Sequence, residues 1–156
     1  MTVRGRRWGV GIALAALAAA GAVTFGLDPV RAQLTEAVRD DPATTSPSTL
    51  AQLPAPARAY VDAVAAKDLD GLVAAFDPAG VVIDVGREIR GRDAIRQWAG
   101  REVIGGRLTV LRATPRPGGT TMLVVFAPGG VGGFRADYAF DLSGGLITRA
   151  ALSYAD

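Results

Sequence analysis

Residues 107–154 carry four consecutive strand patterns, and these constrain the fold more than any other feature: "RLTVLRAT" (107–114), "TTMLVVFA" (120–127), "GFRADYAFDL" (133–142) and "LITRAALSY" (146–154). Pro- and Gly-rich connections of hairpin length separate them, so consecutive strands should be antiparallel neighbours. What precedes them is helical. Ala57, Tyr60, Val61, Val64 and Ala65 make a broad apolar side over 57–67, and Asp68 is placed to cap a second helix over 69–76 through Leu69, Leu72, Val73 and Phe76. Asp77-Pro78 and Gly80 end that pattern. "GVVIDV" (80–85) reads as a short strand with Val82 and Asp84 on one face. A third helix covers about 92–103, with Ile95, Trp98 and Ala99 inward. Helices followed by a strand meander give an α+β class. The simplest burial scheme curls the sheet around the helices and leaves a cavity between them.

Composition narrows the chemistry. The 156 residues hold no cysteine and no histidine, which removes disulfides, thiol nucleophiles, histidine relays and zinc sites built on imidazole or thiolate. Acid–base work must run on carboxylates, tyrosine, lysine or water. Residues 1–32 begin with Arg4, Arg6 and Arg7 and continue through twenty uncharged residues, Trp8 to Leu27. That is an export signal or a membrane anchor, placing the protein outside the cytoplasm or tied to a membrane. Residues 33–54 are rich in Pro, Ser, Thr and Asp and read as a flexible linker, so the folded domain is 55–156. The first 32 residues take four arginines and one aspartate, leaving 13 basic and 14 acidic groups. That balance gives no footprint for nucleic acid.

The stretch "RAYVDAVAAKDLDGLVAAFDPAGVVIDVG…RGRDAIRQW" resembles the NTF2-like superfamily, in its SnoaL-like and ketosteroid-isomerase branch. The resemblance spans about 55–156. It implies a cystatin-like cone in which three N-terminal helices pack on a curved mixed or antiparallel sheet enclosing a pocket. It also implies that Tyr60 is an oxyanion donor and Asp84 the proton-shuttling base, with no cofactor or metal. The family's third catalytic group is a protonated aspartate on the penultimate strand. Counting back from Gly145 lands on Asp137, whereas aligning Phe140 lands on Tyr138. Alternation along 134–142 turns Tyr138 inward, and only a bulge would restore Asp137. Two features depart from the isomerase pattern: Ala99 stands where a second pocket tyrosine is usual, and the loop "DVGREIRG" is short and carries Arg87 and Glu88.

Moving a double bond beside a carbonyl needs a base between two carbons and donors aimed at the dienolate oxygen. Ketosteroid isomerase divides the labour in this way, and the resemblance implies the same division here. Asp84, Tyr60 and either Tyr138 or Asp137 would supply these groups. Phe76, Trp98, Met122, Val124, Phe126, Phe140, Leu152 and Tyr154 would give a small apolar substrate, steroid or polyketide, its walls. Two other functions fit the same resemblance. One is a polyketide cyclase or an epoxide hydrolase, the latter needing an arginine such as Arg135 or Arg149 beside Asp84. The other is a non-catalytic exported module that binds a ligand or partner. A homodimer through the outer sheet face is expected from the superfamily.

Overall fold

The computed structural model of the protein describes residues 44–156. The leader and residues 33–43 of the linker lie outside the described residues. Among the described residues no helix is long and apolar enough to cross a membrane.

The described chain opens with a short helix, α1 (Pro47–Ala51), inside the segment expected to be linker. Ser46 starts it by accepting from the Thr49 amide at 3.1 Å. Just after it, Leu53 is buried in the core. This stretch is therefore part of the domain, because Leu50 and Leu53 find apolar partners that a polar composition does not reveal.

Helix α2 (Ala55–Ala66) buries Ala57, Tyr60, Val61, Ala63 and Val64 and ends at Lys67 in the left-handed region. Asp68 then caps α3 (Leu69–Ala74), its Oδ1 accepting from the Gly71 amide at 2.9 Å. Helix α3 stops two residues earlier than expected. Phe76 already belongs to strand β1 (Phe76–Asp84), whose register with its neighbour shifts between Phe76 and Val81. Asp77 and Pro78 thus mark an irregularity within a strand, where the Asp77 carboxylate accepts from the Ala79 amide.

The "DVGREIRG" segment is a hairpin. Strand β2 (Arg87–Arg90) folds back antiparallel on β1. Helix α4 (Arg92–Glu102) follows and buries Ile95, Trp98 and Ala99. Arg92 ties its first turn to β1 by donating twice to the Phe76 carbonyl, at 2.9 and 2.6 Å. Then come β3 (Arg107–Arg116), β4 (Gly119–Ala127), β5 (Phe134–Ser143) and β6 (Leu146–Tyr154), with a 3₁₀ turn at Pro128–Gly130.

All six strands form one open sheet in the order β2-β1-β6-β5-β4-β3. The four-strand meander is antiparallel as expected, and β1 inserts parallel to β6. The sheet is therefore mixed. Its inner face meets α2, α3 and α4 through Val82, Met122, Val124, Tyr138, Phe140, Ala150 and Leu152, all buried. Tyr60 lies at the centre of that core, edge-on to Phe76, Tyr138 and Phe140 at ring-centroid distances of 6.1, 6.4 and 5.2 Å.

Candidate active site

The site grows from the β1–β2 turn. Asp84 ends β1, Arg87 begins β2, and the two residues between them, Val85 and Gly86, both have positive φ, 48° and 86°. A two-residue connection with that backbone is a type I′ turn, which makes its flanking residues register partners. Asp84 and Arg87 therefore face each other, and Nη2 of Arg87 donates to Oδ2 of Asp84 at 2.5 Å. Helix α4 supplies the other half. Trp98 and Glu102 stand four residues apart on one helix face. The Trp98 indole N–H donates to the same Asp84 Oδ2 at 3.2 Å, and the Glu102 carboxylate accepts from Arg87 at 2.6 Å.

One guanidinium is thus shared by two carboxylates. The hydrogen bond to Glu102, and then that to Asp84, raises the pKa of Arg87 above its ordinary value. Both hydrogen bonds received by the Asp84 carboxylate fall on Oδ2. Its Oδ1 takes none from the described residues. Asp84 keeps only 22% side-chain exposure, against 54% for Arg87.

Asp84 opens onto a cavity of about 590 Å³ between α4, the 103–106 loop and strands β4, β5 and β6. Trp98, Val103, Phe126, Ala136, Tyr138 and Leu152 form its apolar interior, while Val85, Arg101, Glu102, Phe134 and Tyr154 stand where it meets solvent. Apolar walls with a few polar groups suit a small apolar ligand.

The structure brings Asp84 and Tyr138 to this cavity and sets Tyr60 behind it. Tyr60 is 1% exposed, and its buried hydroxyl has no hydrogen-bond partner among the described residues. Its ring packs against the Tyr138 ring but is not among the cavity walls. Burial raises the pKa of both phenols, and the nearby Asp84 charge adds to this; for Tyr60, Tyr138 contributes as well. Both hydroxyls therefore hold their protons and remain donors.

Asp137 is excluded from the cavity. The β4–β5 ladder runs without a shift from Gly119↔Asp141 to Phe126↔Phe134, so the needed bulge is absent there. Tyr138 points inward, and Asp137 sits on the outer face between Leu123 and Ser153. Of the expected walls, Trp98, Phe126, Leu152 and Tyr154 line the cavity. Phe76, Met122, Val124 and Phe140 do not. Each is fully buried, filling the space between helices and sheet. Arg87, not Arg135 or Arg149, is the arginine bonded to Asp84. The sequence reading missed Val103, Phe134, Ala136 and Glu102 as walls; Glu102 had a signal, its four-residue spacing from Trp98.

Comparison with known proteins follows the same lines. The SnoaL-like domain family matches residues 57–150. No curated protein matches the chain by sequence. Among solved structures, a protein of Sinorhizobium meliloti assigned as a polyketide cyclase shares the fold with a TM-score of 0.60 and 24% identity, over 67% of this chain and 98% of that one. Mycobacterium tuberculosis Rv0760c, in complex with estradiol-17β-hemisuccinate, has a TM-score of 0.58 and 21% identity over 67% of this chain and 95% of its own. Δ5-3-ketosteroid isomerase from a Mycobacterium species has a TM-score of 0.54 and 21% identity over 65% and 91%. At these identities the likeness is one of fold, and together with the family match and the mixed, open sheet it leads to one statement: the chain belongs to the SnoaL-like domain family, on the NTF2-like fold.

Proposed function

We propose that the protein is an isomerase-type enzyme that moves a carbon–carbon double bond into conjugation with a ketone on a small apolar substrate, a steroid or polyketide. The observation that carries this reading is Asp84: a carboxylate at the wall of an apolar cavity whose donors among the described residues all fall on Oδ2, leaving Oδ1 without a partner among them. In the proposed reaction Oδ1 takes the α-proton, and the released electron pair moves onto the carbonyl oxygen to give a dienolate. The Tyr138 hydroxyl donates a hydrogen bond to that oxygen without losing its proton. The dienolate then collapses, its γ-carbon takes the proton back from Asp84, and the carboxylate is restored. Trp98 and Arg87 hold Oδ2 and so keep Oδ1 turned to the substrate. Tyr60, behind Tyr138, holds the Tyr138 ring edge-on from the core side. The similar folds of a ketosteroid isomerase and of a steroid-ester complex support the substrate class. The test is ultraviolet detection of enone formation from a β,γ-unsaturated 3-ketosteroid by the wild-type chain.

A second reading rests on the Asp84–Arg87–Glu102 bridge. Two carboxylates held on one guanidinium suit epoxide hydrolysis, in which one carboxylate takes a proton from water as the water oxygen attacks an epoxide carbon, and a carboxylic acid protonates the departing epoxide oxygen. Diol formation from an apolar epoxide, lost in Glu102→Gln while steroid isomerisation is absent, would favour it. Saturable steroid binding without either turnover would leave a ligand carrier.

A further inference from the structure

Five large apolar side chains are exposed among the described residues: Val85, Leu111, Val131, Phe134 and Tyr154. Three of them, Val85, Phe134 and Tyr154, line the cavity, and Val131 sits on the loop between the wall residues Gly129 and Phe134. Val85 is 58% exposed, Val131 83% and Tyr154 65%. Val85 moreover holds a β-branched side chain at φ 48°, a costly backbone region for such a residue, while leaving its apolar group in water. Neither the fold nor the turn requires valine there, since Asn or Gly suits a type I′ turn better.

Cations stand beside this apolar rim on the side of the 103–106 loop. Arg101 lines the mouth and bonds only to the neutral Gln97 among the described residues. Lys67 and Arg107 line an adjoining cleft that shares Gly105, Gly106 and Gly129 with the mouth. The two carboxylates of the mouth, Asp84 and Glu102, are both engaged by Arg87.

The chain path adds an independent observation. Thr45, at the start of the described residues, accepts from the Val110 amide, fixing the incoming chain to β3. Val110 is four residues from Gly106 at the mouth, roughly 13 Å along a strand. Between Leu27, the end of the uncharged stretch, and Thr45 there are only 17 residues.

We propose that the cavity mouth docks on an anionic lipid surface, with Val85, Val131, Phe134 and Tyr154 entering the acyl boundary and Arg101, Arg107 and Lys67 meeting the headgroups. An apolar rim beside a basic margin is the chemistry of an interfacial surface, and, where residues 8–27 serve as the membrane anchor that the sequence offers, the short segment to them holds the rim near a bilayer. The cavity then takes its apolar ligand from the lipid phase without crossing water. This docking stands apart from whichever reaction the cavity performs.

The chain has no cysteine, so single-cysteine variants of the full chain can carry one environment-sensitive fluorophore each. Val131→Cys reports the rim. Ser143→Cys, at the exposed far end of the strand that starts at Phe134, is the control. Both are incorporated into vesicles of phosphatidylcholine, with or without phosphatidylglycerol. The expected result is a blue shift at position 131, with quenching by brominated acyl chains, in the phosphatidylglycerol vesicles, and an aqueous spectrum at 143. Adding Arg101→Gln and Arg107→Gln should reduce the shift several-fold. Equal, aqueous spectra at both positions would overturn the proposal. So would a concentration-dependent shift at 131 without vesicles, which would assign the rim to a second copy of the chain.

Discussion

The Tyr60 hydroxyl is buried in an aromatic cluster and donates to none of the described residues. Leaving such a group unsatisfied costs about 1–3 kcal/mol. If packing were its only duty, phenylalanine would serve better. Tyr60→Phe should therefore leave stability equal or raise it by about 1 kcal/mol in denaturant unfolding, while lowering turnover of a ketosteroid. Tyr138→Phe removes a donor at the cavity wall itself, and kcat should fall by roughly 10²–10³-fold, as for other oxyanion donors. A Tyr60→Phe variant that is less stable than wild type would mean that the hydroxyl does have a partner. An unchanged kcat in Tyr138→Phe would remove Tyr138 from the reaction. Which residue of β5 faces the cavity was legible in the sequence, because Phe134, Ala136, Tyr138 and Phe140 alternate with Arg135, Asp137 and Ala139. The structure resolved the open choice between 137 and 138 through an unbroken ladder. What alternation leaves out is depth: Met122, Val124 and Phe140 share the inner face with Phe126 and Tyr138, yet they are fully buried in the core and do not line the cavity.

At the scale of the element, the β1–β2 hairpin joins the site to its own strain. Its turn, Val85-Gly86, lacks the Asn-Gly or Asp-Gly signature by which a type I′ turn is recognised. For that reason the segment reads as a loop in the sequence, and the Asp84–Arg87 pairing that follows from the hairpin is invisible there. The same holds for Phe76, whose helical spacing from Leu72 and Val73 assigns it to α3 although β1 claims it. By contrast α2, α4 and the four-strand meander follow from periodicity and turn chemistry alone. Relieving the turn should stabilise the domain. Val85→Asn places a residue that tolerates positive φ beside Gly86 and should add about 1 kcal/mol, raising Tm by about 4–8 °C in a thermal melt. A lower Tm would show that the isopropyl group contributes packing that its exposure conceals.

For the whole molecule, the raised phenol pKa values set an alkaline limit. Tyr60 and Tyr138 both titrate above the ordinary value of 10 in the folded state. Unfolded phenols ionise first as pH rises, so the unfolded state loses protons that the native state keeps. The stability these groups contribute is fully present below about pH 10 and is lost as pH climbs toward their folded values, by up to about 1.4 kcal/mol per pH unit for each phenol. Urea unfolding from pH 9 to 11.5 should show this decline, and Tyr60→Phe should make it shallower. A slope unchanged by that substitution would mean that Tyr60 ionises as readily folded as unfolded. Self-association belongs to this scale too. A homodimer through the outer sheet face, where Leu123 and Val125 are half-buried, should sediment at twice the 16.0 kDa chain mass, and Leu123→Glu should return it to one; a wild-type chain that sediments as a single copy would refute that arrangement.

The proton-shuttle reading depends on Asp84. The direct measurement follows enone absorbance during incubation with a β,γ-unsaturated 3-ketosteroid, comparing the wild-type chain with Asp84→Asn after circular dichroism has shown both to be folded. Turnover by wild type and a loss of at least about 10²-fold in Asp84→Asn is the expected result. Equal rates in the two proteins, or no enone from wild type, would contradict it.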